Sequence, residues 1–160
     1  MKFTIRNIAA ALALSLLAVG SATADPIDDA IVAYEGGDYA TALKLLRPLV
    51  ESGGAEAQYR LGLMYANGMG VPTDQAEAAR LYRLAADQGV EKAQFSLGEL
   101  YRDGDGVAQD LVQAYMWFSV AAAAGDQAAF DHRGFLAAEL SPDQIAEAEK
   151  LAKAWKPKAP

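Results

Sequence analysis

Sliding the chain along itself by 36 residues lays 57–89 over 93–125 with thirteen of the 33 positions identical. Roughly two or three identities are expected by chance in so alanine-rich a sequence. A period of this length marks stacked supersecondary units, each too small to bury its apolar face alone. The matches include Ala57/Ala93, Gln58/Gln94, Leu61/Leu97, Gly62/Gly98 and Tyr65/Tyr101 in the first half of the unit. Gly68/Gly104, Gly70/Gly106, Val71/Val107 and Asp74/Asp110 follow, and Ala78/Ala114, Ala85/Ala121, Ala86/Ala122 and Gly89/Gly125 complete the set.

Each match has a mechanical reason. Asp74-Gln-Ala-Glu77 and Asp110-Leu-Val-Gln113 are spaced as capping boxes, in which Asp accepts from orphan amides and the third residue on reaches back. Gly68, Gly70, Gly104 and Gly106 fall between helices, where left-handed backbone angles are needed. Gly53, Gly89 and Gly125 stand just past the second helix of a unit. Gly62 and Gly98 fall inside a helical pattern, at a cost of roughly 1 kcal/mol relative to Ala. Repeating that cost in one register predicts close helix–helix contact there.

The same step catches parts of flanking units. Asp38, Ala42, Leu49 and Gly53 fall on Asp74, Ala78, Ala85 and Gly89, with a shorter inter-helix turn; Ala129 and Gly134 fall on Ala57 and Gly62. Atypical end units are what a stack needs to cover its exposed faces. The spacing predicts an all-α solenoid of antiparallel helix pairs, with about eight helices over 26–36, 38–52, 55–67, 74–88, 91–103, 110–124, 127–140 and 142–155. The domain expected is 25–155: a partial unit 25–54, full units 55–90 and 91–126, and capping helices 127–155. A flexible tail is expected at 156–160. Ser141-Pro142-Asp143-Gln144 opens the last helix as a capping box with proline at its first position.

The segments AEAQYRLGLMYANGMGVPTDQAEAARLYRLAADQG and VEKAQFSLGELYRDGDGVAQDLVQAYMWFSVAAAAGD each resemble a Sel-one-like repeat, a relative of the tetratricopeptide repeat. The resemblance is carried by the Ala-x-x-x-Leu-Gly-x-x-Tyr helix, the Gly-x-Gly-Val turn, the Asp cap and the closing Ala-Ala-x-x-Gly. The aromatic pair near the unit's end is Trp117-Phe118 in the second copy and only Leu81-Tyr82 in the first. The ending LSPDQIAEAEKLAKAW resembles the closing helix of bacterial members. The resemblance implies an exported scaffold or modulator of envelope assemblies.

Export is also expected from the beginning of the chain. Lys2 and Arg6 precede an uncharged stretch with an apolar centre at Ile8–Val19, ending Ala22-Thr23-Ala24, the pattern of a cleavable signal over 1–24. A membrane anchor is the rival reading, but the apolar run is short for a span of roughly 20 residues. Cleavage would leave a periplasmic or secreted chain without a stable membrane anchor. With Lys2 and Arg6 gone, 12 basic and 21 acidic residues remain, a formal charge of −9. So acidic a surface repels phosphate backbones, so nucleic acid is not an expected partner. The chain has no cysteine, so its stability comes from helix packing and not from disulfides.

Catalytic constellations are not evident. His132 is the only histidine, so no histidine metal cluster or acid–base pair can be assembled, and zinc sites and thiol chemistry are excluded. Asp103-Gly-Asp105 begins like a calcium loop, but the fifth and twelfth positions are Val107 and Ala114, which cannot ligate. Ser119 and Ser141 have plain structural readings, and no carboxylate pair is singled out as a glycosidase would need. The aromatic stripe Tyr59, Tyr65, Phe95, Tyr101, Tyr82 and Phe118 is expected mostly in the core. No enzyme activity and no cofactor or metal are expected.

Stacked helix pairs curve, and the first helix of each unit lines the concave side, where such proteins bind. On that helix, packing does not fix the positions at which the copies disagree. Arg60/Ser96, Leu63/Glu99 and Asn67/Asp103 are therefore the candidate contacts for a protein partner. The expectation is a periplasmic adaptor or regulator holding a partner in that groove. The alternatives are an envelope hydrolase acting on peptidoglycan or polysaccharide, and a purely structural subunit of an envelope complex.

Overall fold

The computed structural model describes residues 25–159, so the signal expected at 1–24 lies outside the described residues. Eight helices run in the order α1 (Pro26–Glu35), α2 (Tyr39–Glu51), α3 (Ala55–Asn67), α4 (Gln75–Asp87), α5 (Glu91–Asp103), α6 (Leu111–Ala124), α7 (Gln127–Leu136) and α8 (Pro142–Ala154). No strand occurs among the described residues. Seven of the eight spans differ from expectation by at most one residue at either end. The exception is α7, expected to reach 140. After Leu136 the chain tightens: the Ala138 amide donates to the Phe135 carbonyl at 3.2 Å and the Glu139 amide to the Leu136 carbonyl at 3.0 Å. This tightening buries Leu140 just before Ser141 caps α8.

Short turns fold each helix back on the one before, giving the pairs α1–α2, α3–α4 and α5–α6, stacked through α2–α3, α4–α5 and α6–α7. The last helix breaks the pattern. α8 packs on α6 and makes at most marginal contact with α7. Two apolar clusters fill the stack, and α4 divides them. Leu81 joins Ala30, Leu46, Leu61 and Met64, while the adjacent Tyr82 joins Leu97, Trp117, Phe118 and Leu136.

The repeated glycines show why the unit recurs. A Cβ on Gly62 would stand 2.7 Å from the Tyr82 ring, and one on Gly98 would stand 2.7 Å from the Phe118 ring. The first helix therefore gives up its side chain at one register so that an aromatic ring of the second can lie on its backbone. The repeated glutamines tie helix ends together. Gln88 donates to Gln58 Oε1 at 2.8 Å, and the buried Gln94 donates to the Ala86 carbonyl at 3.2 Å.

Two expectations need correction. The boxes at Asp74 and Asp110 are only half formed: each carboxylate accepts from the amide three residues on, at 3.0 Å. The reciprocal arm is replaced, because the Asp74 and Asp110 amides donate to the Tyr65 and Tyr101 carbonyls of the preceding helices, both at 2.9 Å. Glu77 pairs with Arg80 instead, at 2.7 Å. Of the three expected boxes, only Ser141–Gln144 is complete. The aromatic stripe also divides, with Tyr59, Tyr82 and Phe118 buried and Tyr65, Phe95 and Tyr101 half-buried at its edge.

Residues 156–159, expected to be flexible, carry a specific contact. The Lys158 amide donates to the Asp87 carbonyl at 2.7 Å, and Lys158 Nζ to Asp87 Oδ2 at 2.7 Å.

Candidate functional site

Helices α3 and α5 are the first helices of consecutive units, and α4 lies behind them. Their facing sides enclose a groove of about 340 Å³. Five of the six sequence candidates line it: Leu63 and Asn67 from α3, and Ser96, Glu99 and Asp103 from α5. The 36-residue register accounts for this convergence. Positions equivalent in the repeat lie side by side in the stack, so disagreements between the copies meet across the groove.

Arg60 is the exception: its side chain turns toward α1 and does not line the groove. Its Nε donates to Glu56 Oε1 at 2.6 Å, and Glu35 of α1 stands 3.8 Å away. Its guanidinium carbon lies 5.6 Å from the centre of the Tyr34 ring. Arg60 thus ties α1 to α3, which leaves it outside the groove.

Ala66, Gln75, Tyr82, Leu100 and Asp105 complete the lining. Gln75 and Asp105 also differ between the copies, standing opposite Leu111 and Met69. Restricting the candidates to the first helix concealed them, because Gln75 opens α4 and Asp105 lies in the turn after α5. Gln75 is fixed by donating to the Ala66 carbonyl at 3.1 Å.

The groove is acidic. Glu99, Asp103 and Asp105 line it, and no Lys or Arg does. Arg102 stands beside it, pairing with Asp103 through two hydrogen bonds of 2.7 Å and approaching Glu99 at 3.8 Å. The Arg102 hydrogen bonds hold the Asp103 carboxyl below its ordinary range. Burial pushes the Glu99 carboxyl upward, only partly offset by Arg102 and His132. Asp103 is thus a fixed charge, while Glu99 gains from an incoming cation.

The lone histidine is structural in its surroundings. His132 Nδ1 lies 2.9 Å from Arg102, and its ring meets those of Phe95 and Phe118 edge-on. Both carboxylate oxygens of Asp103 accept from Arg102. Among the described residues no group of three His, Cys, Asp or Glu is placed to hold a metal ion. None of the described helices is long and apolar enough to cross a membrane.

Comparison with known proteins bears on the repeat and the fold. The family model described as the Sel1 repeat matches residues 55–90 and 91–126, the two units found by self-comparison. Among solved structures, the chain is similar to a protective antigen of uropathogenic Escherichia coli displaying an SLR fold. The two share 30% identity with a TM-score of 0.77, over 82% of this chain and 30% of the other. It is also similar to a Sel1 repeat protein from Oxalobacter formigenes, at 27% identity and a TM-score of 0.67, over 82% of this chain and 56% of that one. The chain thus spans less than two thirds of the length of either structure. No curated protein matches it.

Proposed function

We propose, for a chain that carries two Sel1 repeats, that the groove between α3 and α5 holds a basic segment of a partner protein. Sel1 repeats are generally protein-interaction modules, and a solenoid's variable concave positions are where such modules differ in what they bind. One observation carries the reading: five of the six candidate residues, drawn from three registers at which the copies differ, line a single groove. Its chemistry selects the partner. Leu63 and Tyr82 supply apolar contact, and Glu99 and Asp105 supply negative charge, Asp103 being already paired with Arg102. A Lys- or Arg-bearing segment fits that combination by charge complementarity. The partner is an envelope or secreted protein if residues 1–24 act as the export signal they resemble. The protein then serves as an adaptor or regulator.

Peptides selected from a random display library on purified residues 25–160 test this. Enrichment of Lys- and Arg-bearing peptides is expected, with affinity falling at least tenfold on the double substitution Leu63→Lys, Glu99→Lys. Binding to Glu99 should strengthen as pH rises through the range just above that of an ordinary carboxylate, because deprotonating this half-buried carboxyl creates the charge that the peptide meets. Selected peptides that bind the double variant undiminished would remove the groove from consideration.

A further inference from the structure

The 36-residue register puts Gly134 of α7 in line with Gly62 and Gly98. In both complete units that glycine is roofed by an aromatic ring from the next helix, Tyr82 or Phe118. At Gly134 a Cβ would meet nothing within 4 Å, because α8 has gone to α6 instead. The rest of the register agrees. Phe130 occupies the position of the buried Gln58 and Gln94, yet is 53% exposed. Arg133 stands where Leu61 and Leu97 are buried. The α7 face that a second helix covers in every complete unit is thus open here.

Beside that face lies a cleft of about 670 Å³ between α7 and α8, floored by Val120, Ala123 and Ala124 of α6. Its charged rim is Arg133, Lys153 and Lys156 against a single acid, Glu149. Three cations gathered at one place are notable in a chain of formal charge −7. They disfavour a symmetric pairing of two α7 faces, which would set Arg133 near Arg133 of the other copy. We propose that this face and cleft dock an acidic amphipathic helix of a partner protein, which seats an aromatic ring on Gly134 and sets carboxylates against Arg133, Lys153 and Lys156. The surface is separate from the α3–α5 groove.

The fold supplies a probe: residues 74–88, which perform this covering role on α3, as a fluorescein-labelled peptide with Arg80 and Arg83 changed to Glu. Fluorescence anisotropy with the chain 25–160 should show saturable binding. Gly134→Leu, which fills the open notch, should weaken it at least tenfold. Lys153→Glu with Lys156→Glu should do the same, as should Tyr82→Ala in the peptide, whereas Lys44→Glu at an exposed position of α2, outside both surfaces, should leave it unchanged. Circular dichroism of the Gly134→Leu chain checks that its helix content is intact. No binding at millimolar peptide, or binding indifferent to Gly134→Leu, would overturn the proposal. So would a dimer in sedimentation that Gly134→Leu dissociates, which would assign the face to a second copy.

Discussion

Replacing Gly106 by alanine is expected to lower the stability of the domain by about 3 kcal/mol, the largest loss of any single methyl group added to it. Two costs combine. The residue sits at φ +69°, where a Cβ adds about 1–2 kcal/mol of backbone strain. That Cβ would also stand 2.2 Å from the carbonyl carbon and oxygen of Gln75 and 2.6 Å from the amide of Ala76. Backbone cannot rotate aside as a side chain can, so the turn after α5 must lift off the start of α4. Overpacking of this kind costs typically about 1–3 kcal/mol more. Gly37 provides the control, with φ +78° and nothing within 4 Å of its Cβ. Gly37→Ala should therefore show the backbone cost alone, about 1–2 kcal/mol. Urea denaturation of the three proteins separates these values, since a change in midpoint at constant slope reports stability. Equal losses at the two positions would mean that the turn does not bear on α4.

The second prediction uses one substitution at two equivalent positions with opposite results. Gly98→Leu should destabilise by about 3 kcal/mol, because the Phe118 ring lying 2.7 Å from the new Cβ is completely buried and has no space to move into. Gly134→Leu should be neutral or stabilise by up to about 1 kcal/mol, since it replaces a glycine in open space in the last turn of α7 with a strong helix former. Thermal unfolding followed by circular dichroism resolves both, at roughly 2–6 °C per kcal/mol for a domain of this size. Destabilisation at both sites would mean that α7 is covered after all.

The difference between these glycines marks how far the fold is legible in the chain. The register, the caps and the glycine notches are local or periodic features, and a 36-residue comparison exposes them directly. What escaped it is tertiary. Glu77 occupies the right place to close a capping box, but the Asp74 amide is already taken by the Tyr65 carbonyl. Arg60 stands among the variable positions of α3, yet Glu35 and Tyr34 come from α1, whose register does not align with the full units. The packing of α8 on α6, which leaves Gly134 open, has no repeat counterpart from which to infer it. The candidate groove was legible to the same degree. Disagreement between copies found Leu63, Asn67, Ser96, Glu99 and Asp103, and missed Gln75 and Asp105 because they lie just beyond the first helices.

The same distinction separates fold from function. The matched positions pack, cap and turn, so they are shared by any protein built on this repeat. In the proposed reading, partner choice rests on a few unmatched side chains of the α3–α5 groove.

The most direct test of that assignment places a photo-crosslinking amino acid at single positions in cells that make the protein. At Ser96, inside the groove, the probe should yield a crosslink to a partner whose modified segment carries Lys or Arg. At the exposed Arg80 on α4, outside the groove lining, it should yield none. A partner captured from Arg80 and absent from Ser96 would contradict the groove as the binding surface.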